Sequence, residues 1–183
     1  MAHKGVELNH APSRRPTKMA KRLNPLPLYH YTVGAKLPGI RETRALLQSS
    51  LLLEDGEQGA VWFSCHPIVE PTARKGSLGS DGSYRALTSQ ETHQRCGGLY
   101  RFRLSPEFPT ISFYDYKKCS GISEKGYLHL ISKGRSYGAN PNDWRVSFAP
   151  VNLEAIDLVE RWNDSIWVPF QFHKIGGPMV EAI

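Results

Sequence analysis

Leu28-Tyr29-His30-Tyr31-Thr32 is a run of aromatic and β-branched residues, entered through Asn24-Pro25-Leu26-Pro27. Those residue types favour a strand, and the two prolines make its entry stiff and extended. Outward from it, Leu37, Ile40 and Leu47 with Thr43 and Arg44 between them follow a 3.6-residue period, which predicts a helix over 35–48. Gly56 to Gly59 reads as a turn, and Ala60-Val61-Trp62-Phe63-Ser64 as a second strand. Leu99 to Leu104 alternates, as do Thr110 to Tyr116 and Trp144 to Phe148, and each reads as a strand. In the first of these, Arg101 and Arg103 are expected to face solvent. Leu153, Ile156, Val159 and Trp162 fall on one helical face, which predicts a helix over 152–162, and Ile166 to Phe170 reads as a last strand. Residues 74–98 are rich in Gly, Ser, Thr and charge, and 117–142 in Gly and Lys, so both read as long loops, the second interrupted by a short apolar piece at Tyr127 to Ile131. Short strands outnumber helices and do not alternate with them in βαβ fashion. The expectation is an α+β fold around a mainly antiparallel sheet with few flanking helices.

Composition bounds the alternatives. The chain has 183 residues, 40% hydrophobic and 22% charged, as in an ordinary globular domain. One folded domain is expected over 28–172, between a disordered basic tail and linker over 1–27 and a C-terminal tail over 173–183. Of the net charge of +6, residues 1–22 supply most. Lys4, Arg14, Arg15, Lys18, Lys21 and Arg22 stand there against Glu7 alone. The folded part is therefore close to neutral overall, which argues against a dedicated nucleic-acid-binding domain. The tail has no apolar core of a secretory signal, and no apolar run approaches the roughly 18 residues of a membrane span. Cys65, Cys96 and Cys119 suit neither a disulfide framework nor a zinc module, so a reducing, cytoplasmic setting without a structural metal is expected.

Several chemistries have no motif here. There is no His-Glu-x-x-His, Cys-x-x-Cys, P-loop or Gly-x-Gly-x-x-Gly. Cys65 and His66 are neighbours whose side chains would point to opposite faces of a strand. Three other segments carry the polar groups a site needs. His30 and Thr32 share one face of the first strand, Trp62 and Ser64 share a face of the second, and Glu70-Pro71-Thr72-Ala73 follows it. The third is Asn142-Asp143-Trp144-Arg145-Val146-Ser147, followed by Val151-Asn152-Leu153.

In this order the three segments resemble the ADP-ribosyltransferase superfamily, in the branch of poly(ADP-ribose) polymerases and diphtheria-type toxins. Leu28 to Thr32 is similar to its Leu-Tyr/Phe-His-Gly-Thr strand, with Tyr31 at the Gly position. Gly59 to Ser64 is similar to Gly-Ile-Tyr-Phe-Ala, with Trp62 at the Tyr position. Asn142 to Ser147 and Val151 to Leu153 are similar to Asn-Glu-Tyr-Ile-Val-Tyr and Val-Asn-Leu. Residues 74–140 match nothing in the family.

The resemblance implies a split antiparallel sheet and NAD as substrate. His30 would hold the adenine-side ribose with help from Thr32, and the Tyr31 backbone would meet the nicotinamide amide. Trp62 and Ser64 would line the pocket. The second stacking aromatic of the family falls at Ala73, so Tyr84 would have to replace it. Asp143 stands where the family has its catalytic Glu, and Glu70 and Glu154 are the alternative acids. The implied activity is mono-ADP-ribosylation of a macromolecular acceptor, protein or nucleic acid, by a bacterial or phage toxin or effector. Two rivals stand beside it: an NAD glycohydrolase on the same fold, and a non-catalytic binding or inhibitor protein acting on a partner.

Overall fold

A computed structural model describes residues 26–50, 53–66, 68–78 and 80–172. The tail expected over 1–27, apart from Leu26 and Pro27, and the tail over 173–183 lie outside the described residues. The chain runs β1 (Leu28–Val33), α1 (Leu37–Thr43), β2 (Ala45–Leu46), β3 (Val61–Ser64), β4 (Gly76–Leu78), β5 (Tyr84–Ala86) and α2 (Ser89–Arg95). It continues through β6 (Leu99–Leu104), β7 (Ile111–Ser112), α3 (Phe113–Cys119), α4 (Glu124–Ser136), β8 (Trp144–Ser147), β9 (Val151–Asn152), β10 (Ile156–Trp162) and β11 (Trp167–Pro169). The class is α+β, built on one antiparallel sheet of seven strands in the order β11-β10-β6-β1-β3-β8-β7. Two short ribbons, β2-β9 and β4-β5, complete the strands.

Pairing along this sheet is uneven. β1 is zipped to β6 over its whole length, from Leu28 opposite Leu104 to Val33 opposite Leu99. Its other edge meets β3 at a single residue pair, Tyr29 opposite Ser64. The sheet therefore parts between its two central strands. β3 alternates across the parting: Val61 and Phe63 join a core with Leu28, Phe102, Leu104, Leu37 and Val159, while Trp62 packs toward Phe113, Tyr116, Trp144 and Val146.

Four segments differ from the sequence expectation, each for a local reason. The 152–162 stretch is no α-helix: a 3-10 turn over Leu153–Ala155 leads into strand β10. A bulge between Ile156 and Leu158 inserts Asp157, so Ile156 and Val159, three apart, both point into the core and imitate a helical period. The helix expected to reach residue 48 ends at Thr43, where Arg44 takes a left-handed conformation (φ 53°), and the chain then turns into β2. Within 74–98 lie the β4–β5 hairpin and α2, whose start is a capping box: Thr88 accepts from the Glu91 N–H while Glu91 accepts from the Thr88 N–H. Within 110–142 only Ile111 and Ser112 are strand. Ser112 caps α3 and Ser123 caps α4, each accepting from the N–H three residues on.

Arg101 does not face solvent. It is buried, its Nε donates to the Glu160 carboxylate at 2.6 Å, and its guanidinium lies between the rings of Tyr29 (4.2 Å) and Trp167 (4.5 Å). A buried charge that loses its counter-ion keeps its desolvation cost, so Glu160→Ala is expected to lower stability by about 3–5 kcal/mol. Combining it with Arg101→Met should recover part of that loss. Urea unfolding of both variants against wild type is the check.

Candidate active site

The parting of the sheet is the mouth of a cleft of about 510 Å³. Because β1 and β3 separate there, successive residues of both strands reach it: Tyr29, His30 and Tyr31 from one, Trp62, Phe63 and Ser64 from the other. The floor is a carboxylate. Glu70 is 5% exposed and caps the short turn Pro71–Ala73. Its Oε1 accepts from the Thr72 N–H (3.2 Å), the Thr72 hydroxyl (2.7 Å) and the Trp144 indole N–H (3.1 Å). Among the described residues its Oε2 accepts only from the Ser64 hydroxyl, at 2.7 Å. Glu70 thus joins β3, β8 and the turn at one point, and Oε2 retains lone-pair capacity.

His30 bridges the parting. Its Nδ1 lies 3.0 Å from the carbonyl of Trp62, so a side chain spans strands whose backbones have already diverged. A carbonyl oxygen can only accept, so Nδ1 carries the proton and Nε2 presents a lone pair. Rings of Phe63 and Phe102 stand at its edge, 6.0 and 6.4 Å between centroids. Burial pushes the His30 pKa down to about 4, against the pull of the Trp62 carbonyl and with a smaller push from the charge of Lys75. The imidazole is neutral at physiological pH. Burial likewise raises the Tyr31 hydroxyl to about 12, opposed by nearby Arg101, so it stays a phenol.

Aromatic and basic groups complete the walls. The Trp62 ring packs on Tyr116 (4.9 Å) and stands edge-on to Trp144 (6.4 Å, 89°). Trp144 is in turn met by α4 at Gly134, where a Cβ would come within 2.4 Å of the indole. Arg74, Lys75 and Lys133 supply three cations, and Tyr84 and Tyr137 two further rings. Glu70 is the one carboxylate among the described lining residues. Loss of water around the Lys75 ammonium lowers its pKa.

Of the residues singled out by sequence, the cleft brings together His30, Tyr31, Trp62, Ser64, Tyr84 and Glu70. Thr32 is buried and is not among the lining residues. Asp143 ends the turn before β8, where its carbonyl accepts from the Cys65 N–H at 2.8 Å, and it too is not among them. It is the next residue, Trp144, that reaches Glu70. Glu154 pairs on the surface with Arg44 at 3.9 Å. Arg74, Lys75, Lys133, Tyr137 and Trp144 were given no role by sequence reasoning. Among the described residues no group of three His, Cys, Asp or Glu side chains could hold a metal, and no helix is long and apolar enough to cross a membrane. No family model matches the chain, and neither a curated protein nor a solved structure does.

Titration of His30 has a consequence for stability. Its folded pKa of about 4 lies below the 6.5 of a free imidazole, so between those values the unfolded chain holds more protons. Stability contributed by the neutral ring is present above about pH 6.5 and is lost as the pH falls toward 4, by up to about 3 kcal/mol. Urea midpoints at pH 7 and pH 4.5 should therefore differ less for His30→Gln than for wild type.

Proposed function

We propose that this chain transfers ADP-ribose from NAD to a macromolecular acceptor as a mono-ADP-ribosyltransferase, with Glu70 as its acid in place of Asp143. The observation that carries this reading is the Glu70 carboxylate, buried at the floor of a cleft beside His30 and Trp62 and fixed by donors from three elements. The parting of an antiparallel sheet between its central strands also agrees with the split sheet that the resemblance implies.

The lining suits a dinucleotide. Flat aromatic faces accept nicotinamide or adenine, and the Lys75 cation, near His30, suits a pyrophosphate. The neutral His30 ring can accept a hydrogen bond from a ribose hydroxyl at Nε2 without placing a positive charge near the reacting sugar. That matters because the bond between C1′ and nicotinamide breaks with its electron pair leaving on nicotinamide, and the ribose ring becomes positively charged. A carboxylate held in place stabilises that charge with no reorganisation at the moment of reaction. The Glu70 Oε2, with a single donor, is the atom available for it. An acceptor nucleophile then bonds to C1′. If water takes that position the same machinery is a glycohydrolase.

Release of nicotinamide from NAD by the full chain is the direct test. Glu70→Gln keeps the shape of the side chain but removes its charge, and should cut the rate on the order of 10²–10³-fold. Trp62→Ala should chiefly raise KM. Thermal melting of each variant separates these effects from unfolding. No nicotinamide release by the wild type would overturn the enzyme reading, and loss of rate in Asp143→Asn with retention in Glu70→Gln would return the acid to Asp143.

A further inference from the structure

The two lips of the cleft share a composition that a dinucleotide lying inside it does not require. On one lip, Tyr84 stands on the β4–β5 hairpin, 62% exposed, with exposed Arg74 shortly before the hairpin. The hydroxyl end of its ring lies at Gly76, where a Cβ would come within 2.0–2.1 Å of it. Glycine at 76 therefore leaves room for the ring, which stays largely exposed. On the opposite lip, the Lys133 ammonium of α4 sits 4.9 Å from the centre of the Tyr137 ring. Each lip thus pairs an aromatic ring with a cation. Among the described lining residues the one carboxylate, Glu70, is at the floor and accepts from four donors; the acid of the hairpin, Asp81, sits in its turn and is not a lining residue.

Ring and cation in alternation is the chemistry that holds single-stranded nucleic acid: every base has a face to stack, and every linkage has a charge to neutralise. A protein acceptor would find little complementary here unless it were strongly acidic, and stacking rings would add nothing to an acidic peptide. We propose that single-stranded nucleic acid lies across the two lips and is the acceptor of ADP-ribose. This rests on the transferase reading above. The step balances without a further reactant. C1′ of the ribose bonds to a nucleophilic nitrogen or oxygen of a base, its bond to nicotinamide breaks with the electron pair leaving on nicotinamide, and the base's displaced proton goes to water. The near-neutral charge of the folded part, read from sequence as evidence against such a partner, conceals this local excess of cations.

The test uses the full chain and fluorescein-labelled DNA and RNA oligonucleotides of mixed sequence, single-stranded and duplex, followed by anisotropy without NAD. Single strands should bind more tightly than duplex. Tyr84→Ala and Tyr137→Ala should each weaken binding about 5- to 100-fold, with Tyr84→Phe restoring it. Lys133→Gln should reduce the dependence of log K on log salt by about 0.7. With radiolabelled NAD the label should enter the oligonucleotide. Equal binding of duplex, binding indifferent to both tyrosines, or label entering protein alone would overturn the proposal. Nicotinamide release without oligonucleotide binding overturns the acceptor and leaves the transferase reading intact. Tyrosine-dependent oligonucleotide binding with no nicotinamide release overturns the transferase reading, and the acceptor role with it.

Discussion

One hydrogen bond organises the site: the His30 imidazole to the carbonyl of Trp62. Two strands in the middle of a sheet would ordinarily satisfy each other's backbone groups along their length. β1 and β3 do so at one residue pair only, and beyond it a side chain takes over the span. This substitution has two results. The sheet stays joined while opening a cleft, and the ring that joins it is locked into the tautomer whose free nitrogen is an acceptor. Replacing that ring affects cleft and sheet together, because the same group serves both.

The carboxylate at the floor follows from the same opening. Ser64, the residue of β3 still paired with β1, donates to Glu70, and Trp144 of the neighbouring strand donates to it as well. The turn that carries Glu70 is built by Pro71 and by the carboxylate itself, which caps it. The buried acid therefore does not depend on one element. It is fixed at the junction of three, and such preorganisation gives electrostatic stabilisation its value.

Strands rich in aromatic and β-branched residues were legible in the sequence: β1, β3, β6 and β8 fall where those runs stand, and with them came His30, Trp62 and Ser64. Less regular segments were not. The bulge at Asp157 turned a strand into an apparent helix, since one inserted residue converts a period of two into a spacing of three. The helices α2, α3 and α4 sit in stretches where Gly, Ser and Lys mask the apolar face, yet each announces itself by a Thr or Ser cap. Thr88-Ser89-Gln90-Glu91 is a capping-box spacing readable without a structure. Arg101 was misjudged because alternation identifies a face but not a counter-ion, and Glu160 lies across the sheet on β10. For the site, motif position pointed to Asp143, while three-dimensional donors converge on Glu70, separated from Trp144 by most of the chain's middle.

The close approach of Gly134 to the Trp144 indole carries a mechanical meaning. No side chain at residue 134 cushions that contact, and the same indole donates its N–H to Glu70. A displacement of α4 by a fraction of an ångström has nowhere to dissipate before it arrives at the carboxylate. The helix on the outer lip and the acid on the floor are two ends of one rigid lever.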